Sequence, residues 1–359
     1  MKSVKVRKGM PSVALTKAQF TERFKGRFYD PVFSENAEEI EALLPAAWVS
    51  YHDYHKSPRT RKAGKGFADP SYDLPVEWLA AQESIKAAER ERRNPRSRSR
   101  ILIINGSMRS DQSCPGEMSK SWRLVTMARE IVEAERGFEA EILDLSRLTS
   151  EYGRVIHPCK ACVSTAMPLC HWPCSCYPNH AIGQVNDWMN EIYPMWARAH
   201  GIMIVTPVNW YQAPAGLKAM IDRLVCADGG NPDPTSTHGK DPAKAKALEL
   251  KGWPYPRHLA GRLFSVVVHG DASGTENLRR ILTDWLTDMG LIPAGSKALL
   301  DRYIGYYRDY ATSHDDLDGD RDFQSEVRNA AHTLVAAVAL QRKGRLNQAD
   351  AQVKDPRPK

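Results

Sequence analysis

Residues 100–123 read RILIINGSMRSDQSCPGEMSKSWR, from Arg100 to Arg123. Ile101 to Ile104 are four consecutive apolar residues, the pattern of a strand buried on both faces. Asn105-Gly106-Ser107 turns the chain, and a helical pattern begins near Ser119. Strand, Gly/Ser loop and helix together aim backbone N–H groups and a helix dipole at an anion. Ser107, Ser110, Ser113, Ser119 and Ser121 add hydroxyls, and Arg109 and Lys120 add charge. The stretch reads either as a phosphate cradle or as an ordinary strand-to-helix turn. It is neither a G-x-x-x-x-G-K-[ST] loop nor a G-x-G-x-x-G fingerprint.

Downstream the same alternation repeats. Helix is expected over 119–136, strand over 138–145, helix over 182–200 and strand over 202–205. Helix over 215–225, strand over 263–269, helix to 289, a weak strand near 295–300 and a last helix over 322–342 follow. Short apolar strands separated by helices predict a doubly wound, five-stranded parallel sheet. In the order 2-1-3-4-5, the loops after the first and third strands share one crevice. The loop after the third strand, TPVNWYQAP, is stiffened by Pro207 and Pro214 and carries Trp210 and Tyr211. The loop after the fourth, from His269 to Gly274, is polar and glycine-rich, so backbone approaches a ligand closely there. One loop for phosphate and two for a ring suit a mononucleotide with a planar ring.

The remainder is an N-terminal extension over 1–98, an insertion over 226–262 and a disordered tail over 345–359. In the extension, a short helix is expected over 34–44, ended by Pro45, and an extended arm over 52–73. A second helix opens at Pro75. The insertion reads as a lid or as a surface excursion. The 359 residues carry a net charge of +7, which suits anionic ligands in general. Six arginines between Arg90 and Arg100 have no aromatic residues among them, so nucleic acid is not expected. No apolar run approaches membrane-spanning length, and no secretory signal is visible. With seven cysteines, an odd number, a cytoplasmic setting is expected rather than a disulfide framework. Five of them form one constellation: Cys159, Cys162, Cys170, Cys174 and Cys176. C-x-x-C is a metal or cluster clip, and the later cysteines complete a ligand set. An iron–sulfur cluster, a zinc staple and unmetallated thiols are the three readings. Cys114, beside a helix start, is a candidate nucleophile without an assignable partner.

The chain from Ile101 to about Asp301 resembles the NADPH-dependent FMN reductase family of flavodoxin-like proteins. The resemblance is carried by INGSMR, by Ser119 to Leu124, by the cysteine loop, by TPVNWYQAPAGLKAMIDRL and by HGDASG. Ser119-Lys120-Ser121 stands where the family has Gly-Asn-Thr, and Pro207-Val208-Asn209-Trp210 where it has Pro-Glu-Tyr-Asn. The cysteine loop lies where the iron–sulfur flavoprotein branch carries its motif. The resemblance implies a flavodoxin-like fold and FMN held by Ser107, Arg109, Ser119, Lys120, Ser121, Pro207, Val208, Asn209, Trp210, Tyr211, Gly270 and Asp271. It implies NAD(P)H as hydride donor, a small-molecule or protein electron acceptor, and a homodimer or homotetramer. It requires no catalytic acid or base, since the flavin carries the chemistry. A non-enzymatic electron carrier and a flavin-free binding module are the alternatives.

Overall fold

A computed structural model describes residues 14–52, 59–110, 119–151, 153–177, 187–304, 308 and 312–346. Cys114 and the tail from residue 347 lie outside them. The chain divides into two compact units, Met1–Ser57 with His180–Val185, and Pro58–Asn179 with Asn186–Lys359.

In the smaller unit, helix α1 (Lys17–Lys25) starts on a capping box in which Thr16 accepts from the Gln19 amide. A 3₁₀ segment over Pro31–Asn36 leads into helix α2 (Ala37–His52). Pro45 does not end this helix but lies inside it. A proline interior to a helix forfeits one backbone bond. The continuing turns hold Trp48 and Tyr51 against Phe20, with ring centroids 5.4 and 4.9 Å apart.

The larger unit begins with an antiparallel pair, β1 (Thr60–Lys62) and β2 (Asp73–Pro75), where the sequence suggests an extended arm. Helix α3 (Val76–Arg93) follows. The expected extension thus contributes to this unit's core, since Ile85 and Ala88 of α3 are buried with the sheet. The sheet comprises β3 (Ser99–Asn105), β4 (Phe138–Asp144), β5 (Gly201–Pro207), β6 (Leu263–Gly270), β7 (Ile292–Pro293) and β8 (Leu299–Tyr303). Its order is β4-β3-β5-β6-β7, all parallel, with β8 continuing along β6 beyond β7. This is the expected 2-1-3-4-5 order, with the fifth strand broken in two by a 3₁₀ turn at Ser296–Ala298.

Strand residues alternate between the two faces. Ile101, Ile103, Met203, Val205 and Val267 pack under helices α4 (Lys120–Ala134) and α11 (Arg321–Arg342). Leu102, Ile104, Ile202, Ile204 and Val266 face α3, α6 (Met189–Arg198), α7 (Ala215–Arg223) and α9 (Thr275–Asp288). A sheet covered by helices on both sides explains the continuous apolar strands. Two short helices, α5 (Arg147–Ser150) and α10 (His314–Gly319), join elements at the carboxyl end of the sheet.

The insertion is neither loose nor uniformly irregular. It contains α8 (Pro242–Leu250) and is tied to the N-terminal part of its unit. Asp233 accepts from the Ala68 amide at 2.7 Å and Gln82 donates to the Pro232 carbonyl at 2.9 Å. No described helix is long and apolar enough to cross a membrane.

Candidate functional site

At the carboxyl edge of the sheet the chain must leave β3 beside β5. Gly106 does this by donating to the Val205 carbonyl at 2.8 Å. A Cβ at Gly106 would stand 2.6 Å from Thr206 Oγ1 and 2.7 Å from Thr206 Cβ, so glycine is a spatial requirement here. Asn105 fixes the turn: its side-chain oxygen accepts from the Ser107 amide at 3.2 Å, and its amide group donates to Asp144 at 2.8 Å. Ser107 Oγ in turn accepts from the Arg109 amide at 3.2 Å.

Helix α4 begins at the same edge. Ser119 is its N-cap and accepts from the Trp122 amide at 3.1 Å, leaving the helix dipole directed at the space above β3. Ser121 Oγ lies 2.8 Å from His269 Nε2, and Lys120 Nζ donates to Ser313 Oγ at 2.6 Å. Burial, reinforced by the Lys120 charge, pushes His269 down to about 4, so its imidazole is neutral at physiological pH. The Val208 amide donates to the His269 carbonyl at 2.9 Å, which locks the loop after β5 to the end of β6.

These segments enclose a cavity of about 380 Å³. Ser107 and Arg109 line it from the first loop, and Ser119, Lys120 and Ser121 from the start of α4. Pro207, Val208 and Asn209 line it from the loop after β5, and Gly270 and Asp271 from the loop after β6. Sequence reasoning missed three further contributors, Met108, Arg308 and Ser313, and did not single out the His269 side chain. His269 was legible as the polar residue closing an apolar strand; Arg308 and Ser313 lie far along the chain and carried no signal.

Trp210 and Tyr211 are not among the lining residues. They sit at the tip of a two-residue hairpin in which Asn209 and Gln212 exchange backbone bonds of 2.9 and 3.0 Å. Both have left-handed backbone, at φ of 45° and 69°, and both rings face solvent. Left-handed backbone at a bulky residue costs about 1–3 kcal/mol.

The cysteine loop forms a second polar cluster. Cys162 Sγ lies 3.4 Å from Cys176 Sγ and 3.6 Å from Lys240 Nζ, and Lys240 also donates to the Leu169 carbonyl at 2.8 Å. Hydrogen bonding from Cys176, helped by the Lys240 charge, draws Cys162 down to about 5 against its partial burial, while Cys176 is pushed up. Burial raises Cys226 to about 12. Among the described residues no three His, Cys, Asp or Glu side chains gather into a set that could hold a metal. Cys176 nonetheless hydrogen-bonds both Cys162 and Cys174, and Cys170 lies close enough to feel the charge of Cys162 and Cys174, so the loop brings four of the five named thiols together. The loop is anchored by Arg223 of α7, which donates to the His157 carbonyl at 2.9 Å and pairs with Asp187 in full burial.

Residues 99–303, more than half of the chain, match the NADPH-dependent FMN reductase family. The chain belongs to that family. Over 126 residues it is 32% identical to an iron-sulfur flavoprotein of Methanosarcina thermophila, an alignment covering 35% of this chain and 52% of that protein. The chain thus spans about half the length of this curated relative. Among solved structures it is similar to RosB with a bound 8-demethyl-8-formylriboflavin-5'-phosphate intermediate, with TM-score 0.46, 14% identity, and coverage of 69% and 82% of the two chains. It is also similar to an apo NADH:FMN oxidoreductase, with TM-score 0.37, 15% identity, and coverage of 67% and 89%. Both likenesses are distant, and family membership rests on the sequence match. For an FMN reductase family member, FMN is the ligand against which the cavity is tested. The cavity offers hydroxyls, a helix N-terminus and cations on one side, and backbone of two stiff loops on the other, which is a donor set matched to a phosphate and a polar ring edge.

Proposed function

We propose that this chain is an FMN-dependent NAD(P)H oxidoreductase that passes electrons to a small-molecule acceptor. The observation that carries this reading is the single cavity joining the loops after β3, β5 and β6 at the start of α4. Bound FMN supplies the hydride and electron chemistry. The protein's part is to bind and to orient. Ser107 and Ser121 hydroxyls, Lys120 and Arg308 face the phosphate, in the field of the α4 dipole. Backbone at Val208, Asn209, Gly270 and Asp271 faces the ring, with Pro207 and the Val208–His269 bond holding that edge rigid. Asp271 and the Asn209 side chain supply polar contacts that fix the ring's orientation.

The test is titration of the purified chain with FMN and riboflavin, followed by NADH and NADPH oxidation with a panel of acceptors. FMN binding tighter than riboflavin binding, with NAD(P)H turnover dependent on FMN, is expected. A protein that ignores FMN would refute the reading, and FMN binding without NAD(P)H turnover would mark an electron carrier instead.

A further inference from the structure

A serine hydroxyl carries one proton, and a neutral imidazole carries one N–H and one bare nitrogen. Where the two meet, only one of them donates. Ser121 Oγ lies 2.8 Å from His269 Nε2, and this is its one hydrogen bond among the described residues. Burial and the Lys120 charge keep the imidazole neutral. Its other nitrogen, Nδ1, is sealed from solvent and has no hydrogen-bond partner among the described residues. A proton on Nδ1 would be a buried, orphaned N–H, which native structures rarely tolerate. With the proton on Nε2, Nδ1 keeps only a bare lone pair, and Nε2–H donates to Ser121 Oγ. The ring has little freedom to do otherwise. Its residue pairs with Pro207 of β5 and Arg302 of β8, and the Phe323 ring packs beside it at 6.4 Å. Ser121 therefore keeps its own proton for another acceptor. It is 2% exposed, sits in the first turn of α4 and lines the cavity. No described protein group accepts that proton, so the acceptor is supplied by whatever fills the cavity.

Resting on the cavity as the FMN site, we propose that His269 is a positioning residue: by donating from Nε2 it presets the Ser121 hydroxyl as a donor to the ligand's phosphate. An ionised phosphate monoester presents acceptor oxygens and no donor of its own. The Ser121 O–H, the Lys120 ammonium and the N-terminus of α4 then form one wall that only donates. The direction of the bond also separates this pair from a Ser–His nucleophile. There the serine gives its proton to the histidine and is activated for attack. Here the histidine donates, so Ser121 binds and does not react.

Nitrogen-15 NMR of the imidazole rings reads the tautomer directly, with the His269 signals identified by their loss in His269→Gln. The proton is expected on Nε2, both with and without FMN. Dissociation constants for FMN and riboflavin then test what the tautomer does. Ser121→Ala should weaken FMN about tenfold and riboflavin less than about twofold. His269→Leu should weaken FMN about fivefold, and adding it to Ser121→Ala should change the FMN Kd by less than about twofold, since His269 acts only through Ser121. His269→Gln, whose amide places an N–H near the Nε2 position, should recover most of the FMN affinity that His269→Leu loses. If His269→Leu does not fold, the NMR signals, Ser121→Ala and His269→Gln still decide. A proton on Nδ1, additive losses in the double variant, or equal losses of FMN and riboflavin in His269→Leu would overturn the proposal. Failure of the parent protein to bind FMN, seen in the titration before any variant is made, would overturn the cofactor reading beneath it.

Discussion

Ser121 Oγ and His269 Nε2 lie 2.8 Å apart and tie the first turn of α4 to the last turn of strand β6. The contact is buried, and His269 Nδ1 has no hydrogen-bond partner among the described residues. A neutral imidazole is what this packing accepts. Its folded pKa of about 4 lies below the ordinary value of 6.5. Between those values the unfolded chain binds more protons than the folded one. The stability that neutral His269 contributes is complete above pH 6.5 and is lost as pH falls toward 4. At pH 5 the loss is roughly 2 kcal/mol. In urea unfolding, the stability gap between the parent and His269→Asn should shrink by that amount between pH 7.5 and pH 5. A gap constant with pH would show that His269 does not titrate as the packing requires.

Gly106 carries the turn that opens the cavity. In Gly106→Ala the methyl group would meet Thr206 Oγ1 at 2.6 Å and Thr206 Cβ at 2.7 Å, with Leu217 Cδ2 at 3.1 Å. Overpacking of this kind costs about 1–3 kcal/mol. Equilibrium unfolding should show that loss, together with weaker FMN binding as Ser107 shifts. A fully stable variant with parental FMN affinity would contradict the assigned role of this turn.

Lys120 sits at the N-terminus of α4 with its ammonium on Ser313 Oγ at 2.6 Å, on the cavity wall. Lys120→Met should weaken FMN about tenfold, equivalent to one charge-assisted hydrogen bond, and leave riboflavin unaffected. The parent's FMN affinity should also fall more steeply with added salt than the variant's. Equal losses for FMN and riboflavin would move the phosphate away from Lys120.

Arg223 and Asp187 form an ion pair with side chains only 1% and 3% exposed, and Arg223 also holds the His157 carbonyl. Removing one partner strands the other charge in the interior. Arg223→Met should cost about 3–5 kcal/mol, and Arg223→Met with Asp187→Leu should recover much of it. Thermal unfolding of the single and double variants, measured together, decides this. A double variant as unstable as the single one would show that the lost bond to the cysteine loop, rather than the stranded charge, dominates.

The sheet was legible because its information is local. Ile101–Ile104 and Ile202–Val205 are continuous apolar runs, and Leu263–Val268 is broken only by Ser265. The site's main loops were legible for the same reason, since the parallel topology alone brings Ser107, Asn209 and Gly270 to one edge. What the sequence hid was non-local or conformational. Pro45 suggests a helix end, yet aromatic packing of Trp48 and Tyr51 on Phe20 carries the helix past it. Trp210 and Tyr211 carry no glycine or asparagine signal for a type I′ turn, so their displacement from the cavity could not be read. Helix α3 looked like part of an extension because its partners, Pro173 on Trp78 and Pro232 on Gln82, lie 95 and 150 residues away. The cysteine spacing marks the loop, but the approach of Lys240 to Cys162 depends on an insertion whose path only the structure shows.

The central claim is that one cavity, built from three strand-end loops and the start of α4, grips FMN by its phosphate. The most direct measurement is the FMN dissociation constant, followed by flavin fluorescence quenching, for the parent and for Lys120→Met, with riboflavin as the phosphate-free control. The account predicts tight FMN binding by the parent, much weaker riboflavin binding, and in the variant an FMN affinity about tenfold lower with riboflavin affinity unchanged. Equal affinities for FMN and riboflavin in the parent, or no binding of either, would contradict it.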